Sequence, residues 1–167
     1  MKQYLAILSA IALLGAGCSA PVTPPTNPPQ AAANPEARCD ALMTLDEAKL
    51  ITGLTYTQRD ATTQTAGKAL VTNCTFYDGG SRSGIKPFGI STRSASSIDE
   101  AKTIFETSKK AAYADGQMLS GLGDQALWSP SISQVSLIQG QTWLIVTASN
   151  NKELAIKIAE TILPKLK

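Results

Sequence analysis

The sequence contains no histidine among its 167 residues. Hydrolytic sites of the Ser-His-Asp and Cys-His types need an imidazole as general base, so this chain can build neither of them. Histidine ligation of a metal is excluded for the same reason. Only three cysteines are present, and without histidine they leave too few soft ligands for zinc. We therefore expect no metal site and no cofactor.

A strong excess of one charge is also missing. The formal net charge is +2, and Lys2 contributes one of these charges from a segment that we expect to be removed. Binding to nucleic acid depends on a pronounced basic surface, because contacts to phosphates dominate the affinity. The sequence thus predicts no nucleic-acid partner.

Two short motifs match catalytic or cofactor signatures in their spacing alone. A Gly-x-Gly-x-x-Ala motif at 121–126 leads into Leu-Trp-Ser-Pro, whereas a dinucleotide fingerprint must open a helix. Ser83 and Lys86 have the Ser-x-x-Lys spacing of penicillin-binding enzymes, but Pro87 and the preceding turn residues indicate a hairpin loop. We assign no catalytic residue and predict that the protein is not an enzyme.

The first 17 residues are typical of an export signal. Lys2 precedes an apolar run at 4–14 that is broken only by Ser9. A run of about 11 residues is too short to span a bilayer, which needs roughly 20. Small residues follow at 15–17, as a signal peptidase requires. The pattern predicts a cleaved signal peptide over 1–17.

Cys18 directly follows these small residues and resembles the lipidated cysteine of a bacterial lipobox. One acyl chain anchors a protein only marginally, and lipoproteins of this kind carry a diacylglycerol and usually an N-acyl chain. We expect attachment to a membrane through lipid on Cys18. Because Ser19 follows instead of an aspartate, we expect the outer membrane in a cell with two membranes, and otherwise the outer face of the cell membrane.

A linker is predicted over 18–38, since residues 20–38 hold six prolines among Thr, Asn, Gln and Ala. Such a tract favours polyproline II and cannot bury a core. At about 3.1 Å per residue it could hold a domain up to roughly 60 Å from the lipid. Residues 39–167 have the length of one domain.

Cys39 and Cys74 remain in this domain, and export to an oxidising compartment favours a disulfide between them. The alternative is two separate buried thiols. A bond would close a loop of about 35 residues, which is worth roughly 3.8 kcal/mol in the chain-entropy model.

The secondary-structure pattern predicts an α+β domain. Capping boxes at 44–47 and 97–100 begin two helices, and a third is expected from about 151 to 163. Alternating or apolar segments predict strands, at 69–77, 85–94, 125–129, 133–139 and 142–148, while 55–68 is expected to be an extended piece and a loop. This order favours an antiparallel sheet of about five or six strands with helices packed on one face.

The chain contains two tryptophans, Trp128 and Trp143. Trp143 lies within a strongly apolar strand and is expected in the core. Trp128 stands beside Ser129 and Pro130 at a strand end, so we predict it as a candidate exposed contact.

Several segments resemble a family of uncharacterised bacterial envelope lipoproteins. Residues 39–48, Cys-Asp-Ala-Leu-Met-Thr-Leu-Asp-Glu-Ala, are similar to its Cys-x-Leu-Leu-Thr-x-x-Glu-Val opening, with Met43 and Ala48 as mild departures. Cys74 occupies the place of the family's second cysteine, and residues 121–126 resemble its Gly-Leu-Gly-Asp-x-Ala segment. The resemblance implies a fold like that of PsbP-like domains and supplies no catalytic residue.

These observations predict a membrane-anchored lipoprotein with a non-enzymatic extracytoplasmic interaction domain, whose expected partner is an envelope protein or the cell wall. The alternative is a carrier or sensor of a small apolar ligand of unknown identity. A filled interface between helices and sheet would favour the first function, and an open apolar cavity the second.

Overall fold

The computed structural model describes residues 34–67, 69–78 and 87–166. Four helices are present in these ranges, α1 (Pro35–Leu42), α2 (Leu45–Thr52), α3 (Ile98–Ala112) and α4 (Lys152–Ile162), and a 3-10 turn follows at Leu163–Lys165. The strands are β1 (Tyr56–Ala66), β2 (Ala69–Asp78), β3 (Phe88–Ser94), β4 (Gln117–Leu119), β5 (Gln125–Ser129), β6 (Gln134–Gln139) and β7 (Thr142–Ala148).

The strands form one antiparallel sheet in the order β1-β2-β3-β7-β6-β5-β4. This confirms the predicted α+β class. The sheet has seven strands instead of five or six, because β1 and β4 pair at its two edges. Strand β1 contains the extended piece that the sequence predicts within 55–68, and β4 is not among the predicted strands.

Side chains alternate between two faces of this sheet. The face that we call the core face carries Phe76, Leu137 and Leu144, and the side chains of α1, α2 and α4 pack on it. The opposite face, the α3 face, carries Leu127 and Ile138, which contact Ala101 and Phe105 of α3.

The expectation that all helices pack on one face is therefore corrected. Helix α3 lies on the opposite side of the sheet from α1, α2 and α4. The physical reason is that β5, β6 and β7 are apolar on both faces, as shown by buried Leu127 beside buried Trp128 and by buried Ile138 beside buried Leu137. Each of these two faces needs a cover.

Helices α2 and α3 begin where their capping residues predict. Thr44 Oγ1 accepts from the backbone N–H of Glu47 at 3.2 Å, and the Glu47 carboxylate accepts from the backbone N–H of Thr44 at 2.8 Å. Ser97 Oγ accepts from the backbone N–H of Glu100 at 3.1 Å. The adjacent acidic residues at these two helix starts are thus explained by capping and by the helix dipole.

Helix α1 begins at Pro35, before the predicted start of the folded segment at Cys39. A disulfide joins Cys39 to Cys74, with 5.8 Å between the two Cα atoms, and this confirms the predicted pairing. Arg59 of β1 forms ion pairs with Glu36 at 2.6 Å and with Asp40 at 2.7 Å. A covalent bond to β2 and ion pairs to β1 therefore hold α1 on the sheet.

Candidate functional site

Among the described residues, no helix lies over one part of the α3 face. Helix α3 packs on β6 and β7 and reaches Leu127 of β5, and no other described helix covers β1, β2 and β3 on the far side of β7. We call this region the open face. Its apolar side chains are Val71 and Ile145, and its other positions are polar side chains and one glycine: Asp60, Thr62, Asn73, Thr75, Tyr77, Gly89, Ser91, Arg93 and Thr147. All of them except exposed Thr62 are half-buried.

A row of polar side chains crosses the middle of the open face. Strand register places Thr62 opposite Asn73 and Asn73 opposite Ser91. The Ser91 hydroxyl donates to Asn73 Oδ1 at 2.7 Å, and Asn73 Nδ2 donates to Thr62 Oγ1 at 3.4 Å. These bonds fix the orientation of the Asn73 amide, which keeps one further N–H for a partner.

Charged groups stand at opposite corners of the open face. At one corner Tyr77 donates to the Asp60 carboxylate at 3.2 Å. At the other corner Arg93 lies opposite Trp143 of β7, and its buried Nε has no hydrogen-bond partner within the described ranges. Most buried polar groups in proteins are paired. An acceptor on a second molecule would satisfy this N–H.

Gly89 is the position of the open face that carries no side chain. A Cβ added to it would meet only the Cys74 carbonyl oxygen and the Thr147 Cβ, each at 3.9 Å. These are ordinary van der Waals distances, so the position accepts a side chain without a clash. Glycine here leaves the backbone accessible beside Thr75 and Thr147, and a large residue would cover it.

Sequence reasoning missed this site. The alternation of Asn73, Thr75 and Tyr77 with buried Cys74 and Phe76 does indicate a polar face on β2. It does not tell whether a helix covers that face, because the coverage depends on where α3 lies in the fold. Gly89 and Arg93 gave no signal of their own.

The structure also corrects the prediction for Trp128. Its side chain is 5% exposed and packs within the core-face cluster, so it is not an exposed contact. The physical reason is register, because Trp128 pairs with Val135 and points to the same face as Leu137. Trp143 is half-buried beside α3, and its Nε1 donates to Ser136 Oγ at 2.8 Å.

The glycine motif at 121–126 forms a structural turn. Gly123 has φ +63°, and a Cβ there would lie 2.6 Å from the Ile138 carbonyl oxygen, so only glycine fits. The backbone N–H of Gly140 donates to the Asp124 carboxylate at 2.7 Å. The segment thus braces the β6–β7 hairpin, and no helix follows it.

Other predicted residues lie where the structure does not describe the chain. Cys18, the leader and the linker up to residue 33 are outside the described ranges, as are Ser83 and Lys86. Among the described residues, no three acidic or cysteine side chains are grouped closely enough to hold a metal ion. No helix in the described part of the chain has the length and apolarity needed to cross a membrane.

Comparisons with protein families, with curated proteins and with solved structures found no match to this chain.

Proposed function

We propose that this protein is a lipid-anchored lipoprotein of the bacterial cell envelope, and that its domain binds another envelope protein through the open face without catalysing a reaction. The observation that supports this most directly is the uncovered half of the α3 face. The sheet is covered there over β5–β7 and left open over β1–β3. A polar sheet face with half-buried side chains and an unsatisfied Arg93 Nε is suited to a macromolecular surface.

The chemistry of the open face favours a protein over a glycan. Tyr77 is the aromatic side chain among the residues that define the face, and Trp143 beside Arg93 is packed against the α3 cluster, so little aromatic surface is offered for stacking on sugars. Asp60 and Arg93 give it opposite charges at two corners, and such an arrangement fixes the orientation of a protein partner. The Asn73 amide between them adds directional hydrogen bonding.

The interior supports the interaction domain over a carrier of apolar ligands. A carrier needs a cavity, usually of about 300–1,000 Å³ and mostly apolar. Here Val135, Leu144, Ile158 and Ile162 are 0% exposed and fill the interface between α4 and the sheet. The core face is thus occupied by the protein's own side chains.

Attachment through Cys18 gives a first test of this proposal. The full chain, expressed in bacteria fed labelled palmitate, is expected to incorporate the label, and Cys18→Ala is expected to lose it completely. Thr26→Ala, a substitution in the predicted linker, serves as the control, since it leaves both Cys18 and the disulfide in place and should leave labelling unchanged. Label retained by Cys18→Ala would contradict the predicted anchor.

A second test concerns the open face. Gly89→Lys should place a long cationic side chain over Thr75 and Thr147 without a clash in the sheet, because the added Cβ has only 3.9 Å neighbours. We expect it to weaken partner binding at least about tenfold, which corresponds to about 1.4 kcal/mol. Gly89→Ala adds the Cβ alone and is expected to bind as the natural protein does.

The measurement is in-membrane crosslinking of the full lipoprotein, followed by mass spectrometry of the adducts. A protein adduct that is lost in Gly89→Lys and kept in Gly89→Ala supports the proposal. Equal adducts in both variants, with equal melting temperatures, would show that the open face is not the binding surface. Adducts to cell-wall fragments alone would show that the partner is the cell wall and not a protein.

A further inference from the structure

A second candidate site lies on the other side of the sheet and does not depend on the open face. It is a cavity of about 230 Å³ between α1, the 3-10 turn and one end of the core face. Six hydrogen-bond donors line it: Arg38, Thr72, Thr92, Ser94, Thr142 and Lys165. Leu42 and Leu166 form an apolar wall beside them.

Arg38 brings to this cavity a positive charge that forms no ion pair among the described residues. The acidic residues of α1, Glu36 and Asp40, both bind Arg59, which leaves one negative charge on the other side of the helix. Each lies two residues from Arg38, which corresponds to about 200° around the helix, so both project away from it. The Arg38 Nε is buried and has no hydrogen-bond partner in the described part of the chain. A buried guanidinium N–H without an acceptor is unusual in a folded protein.

The sheet contributes a set of hydroxyl groups opposite Arg38. Thr72 pairs with Thr92, and Thr142 pairs with Ser94, so the four side chains are neighbours at one end of β2, β3 and β7. Thr72 is 3% exposed and Thr142 is 7% exposed. The Thr72 hydroxyl lies 3.5 Å from that of Thr63, whereas the Thr142 hydroxyl forms no hydrogen bond within the described ranges. The cavity therefore contains an unused donor on a well-buried residue.

Lys165, from the 3-10 turn, lines the cavity beside Arg38 and the sheet hydroxyls. Its ammonium donates to Glu47 Oε1 at 2.6 Å and to the Leu42 carbonyl at 3.0 Å. Two of its three N–H groups are thus occupied and Glu47 balances its charge, but one N–H remains. The charged groups around the cavity sum to one positive charge, which is that of Arg38.

We propose that this cavity binds a phosphate group. Donors reach it from three directions, from the helix, from the 3-10 turn and from the sheet, and a tetrahedral anion with four oxygens can accept from all three. A planar guanidinium such as that of Arg38 is well matched to phosphate oxygens. The volume of about 230 Å³ suits a small anion or the head of a larger phosphate ester.

The test is calorimetric titration of the full-length lipoprotein in detergent with inorganic phosphate and, separately, with glycerol 3-phosphate, at constant ionic strength. We expect saturable binding of at least one of these probes. Arg38→Gln is expected to weaken it at least about tenfold, since it removes the charge of Arg38 and no ion pair or hydrogen bond described for the folded chain. Thr142→Val keeps the side-chain shape and is expected to weaken binding about three- to tenfold.

Arg93→Gln is the matched control. Arg93 also has a buried, unpartnered Nε, but it lies on the opposite face of the sheet, so its loss changes the net charge equally without touching the cavity. Unchanged phosphate binding in Arg93→Gln, with loss in Arg38→Gln, supports the site. Tighter binding of inorganic phosphate would indicate a free ion, and tighter binding of the ester would indicate a headgroup. Absence of binding by both probes, or equal weakening by the two arginine variants, would overturn the proposal.

Discussion

Replacing Cys39 and Cys74 together by alanine is expected to lower the free energy of unfolding by about 3.8 kcal/mol or more. The bond closes a loop with a sequence separation of 35 residues, and the chain-entropy model gives about this value for the added freedom of the unfolded chain. Both sulfurs are also buried, with Cys39 at 0% and Cys74 at 1% exposure. The double substitution therefore adds a packing loss to the entropic term.

Urea denaturation at neutral pH, with and without a reducing agent, measures this effect. The natural protein should become less stable when it is reduced, while the double variant should not respond to the reductant. A loss below about 1 kcal/mol would contradict the expectation. It would mean that the reduced, unfolded chain keeps the two segments close together by other contacts.

Loss of the disulfide should destabilise helix α1 before the rest of the domain. Apart from Cys39, the buried side chain of this eight-residue helix is Leu42, so little apolar area holds it to the sheet. We expect the amides of 38–42 to exchange with solvent much faster in the double variant. Exchange in β6 and β7 provides the internal reference, because these strands lie in the interior of the sheet.

Arg59→Gln is expected to cost about 3 kcal/mol of stability, the second largest effect. The Arg59 side chain is 7% exposed, and besides its two ion pairs it donates to the carbonyl oxygens of Met43 and Glu36, each at 3.2 Å. Its guanidinium also lies 5.7 Å from the centre of the Phe76 ring. Removal of one partner of a buried ion pair typically costs about 3–5 kcal/mol. We expect the lower end of this range, because the exposed carboxylates of Glu36 and Asp40 can regain hydrogen bonds to water.

Two further variants separate the contributions of Arg59. Arg59→Lys keeps the charge but cannot reach four acceptors at once, so we expect it to cost about 1–2 kcal/mol. Asp40→Asn should cost less than about 1 kcal/mol, because the Asp40 side chain is 56% exposed. If Asp40→Asn were as damaging as Arg59→Gln, the ion pair would matter more than the burial of the guanidinium.

The same contacts predict a dependence on pH. The hydrogen bond from the Arg59 guanidinium holds the pKa of Asp40 below its usual value, and the Arg59 charge acts in the same direction. A lowered pKa in the folded state means that the stabilisation is fully present above the unfolded pKa of about 3.9 and is lost as the pH falls through the folded pKa. When the pH falls from 5 to 3, the free energy of unfolding should therefore decrease less in Arg59→Gln than in the natural protein.

The parts of the fold that the sequence predicts well are those with local signals. Strands β2, β6 and β7 alternate or are apolar, and the caps at Thr44 and Ser97 mark helix starts that the structure confirms. Strand β1 was predicted only as an extended piece and a loop because its residues, Tyr-Thr-Gln-Arg-Asp-Ala-Thr-Thr-Gln-Thr-Ala, bury little apolar surface. Its conformation comes from pairing with β2 along its whole length, which is a tertiary effect.

Helix α1 was missed for a related reason. Pro-Glu-Ala-Arg-Cys-Asp-Ala-Leu has no apolar stripe, and its stability depends on Cys74 and Arg59, which are distant in the sequence. The two candidate sites share this limitation. Arg38 and Thr142 line one cavity only because α1 is held on β1 and β2, and the open face exists only because α3 stops at β7.

The disulfide also has a mechanical meaning for a tethered domain. A lipid anchor at Cys18 would pull on the chain at Asn34, directly before α1. Without a crosslink, this tension would peel the short helix from the sheet and then load the edge strand β1 one hydrogen bond at a time. The Cys39–Cys74 bond would pass the force into β2, which is paired with β1 on one side and with β3 on the other. Under the proposed anchoring, the disulfide would thus keep α1 and β1 in place under a pull that would detach them in the reduced form.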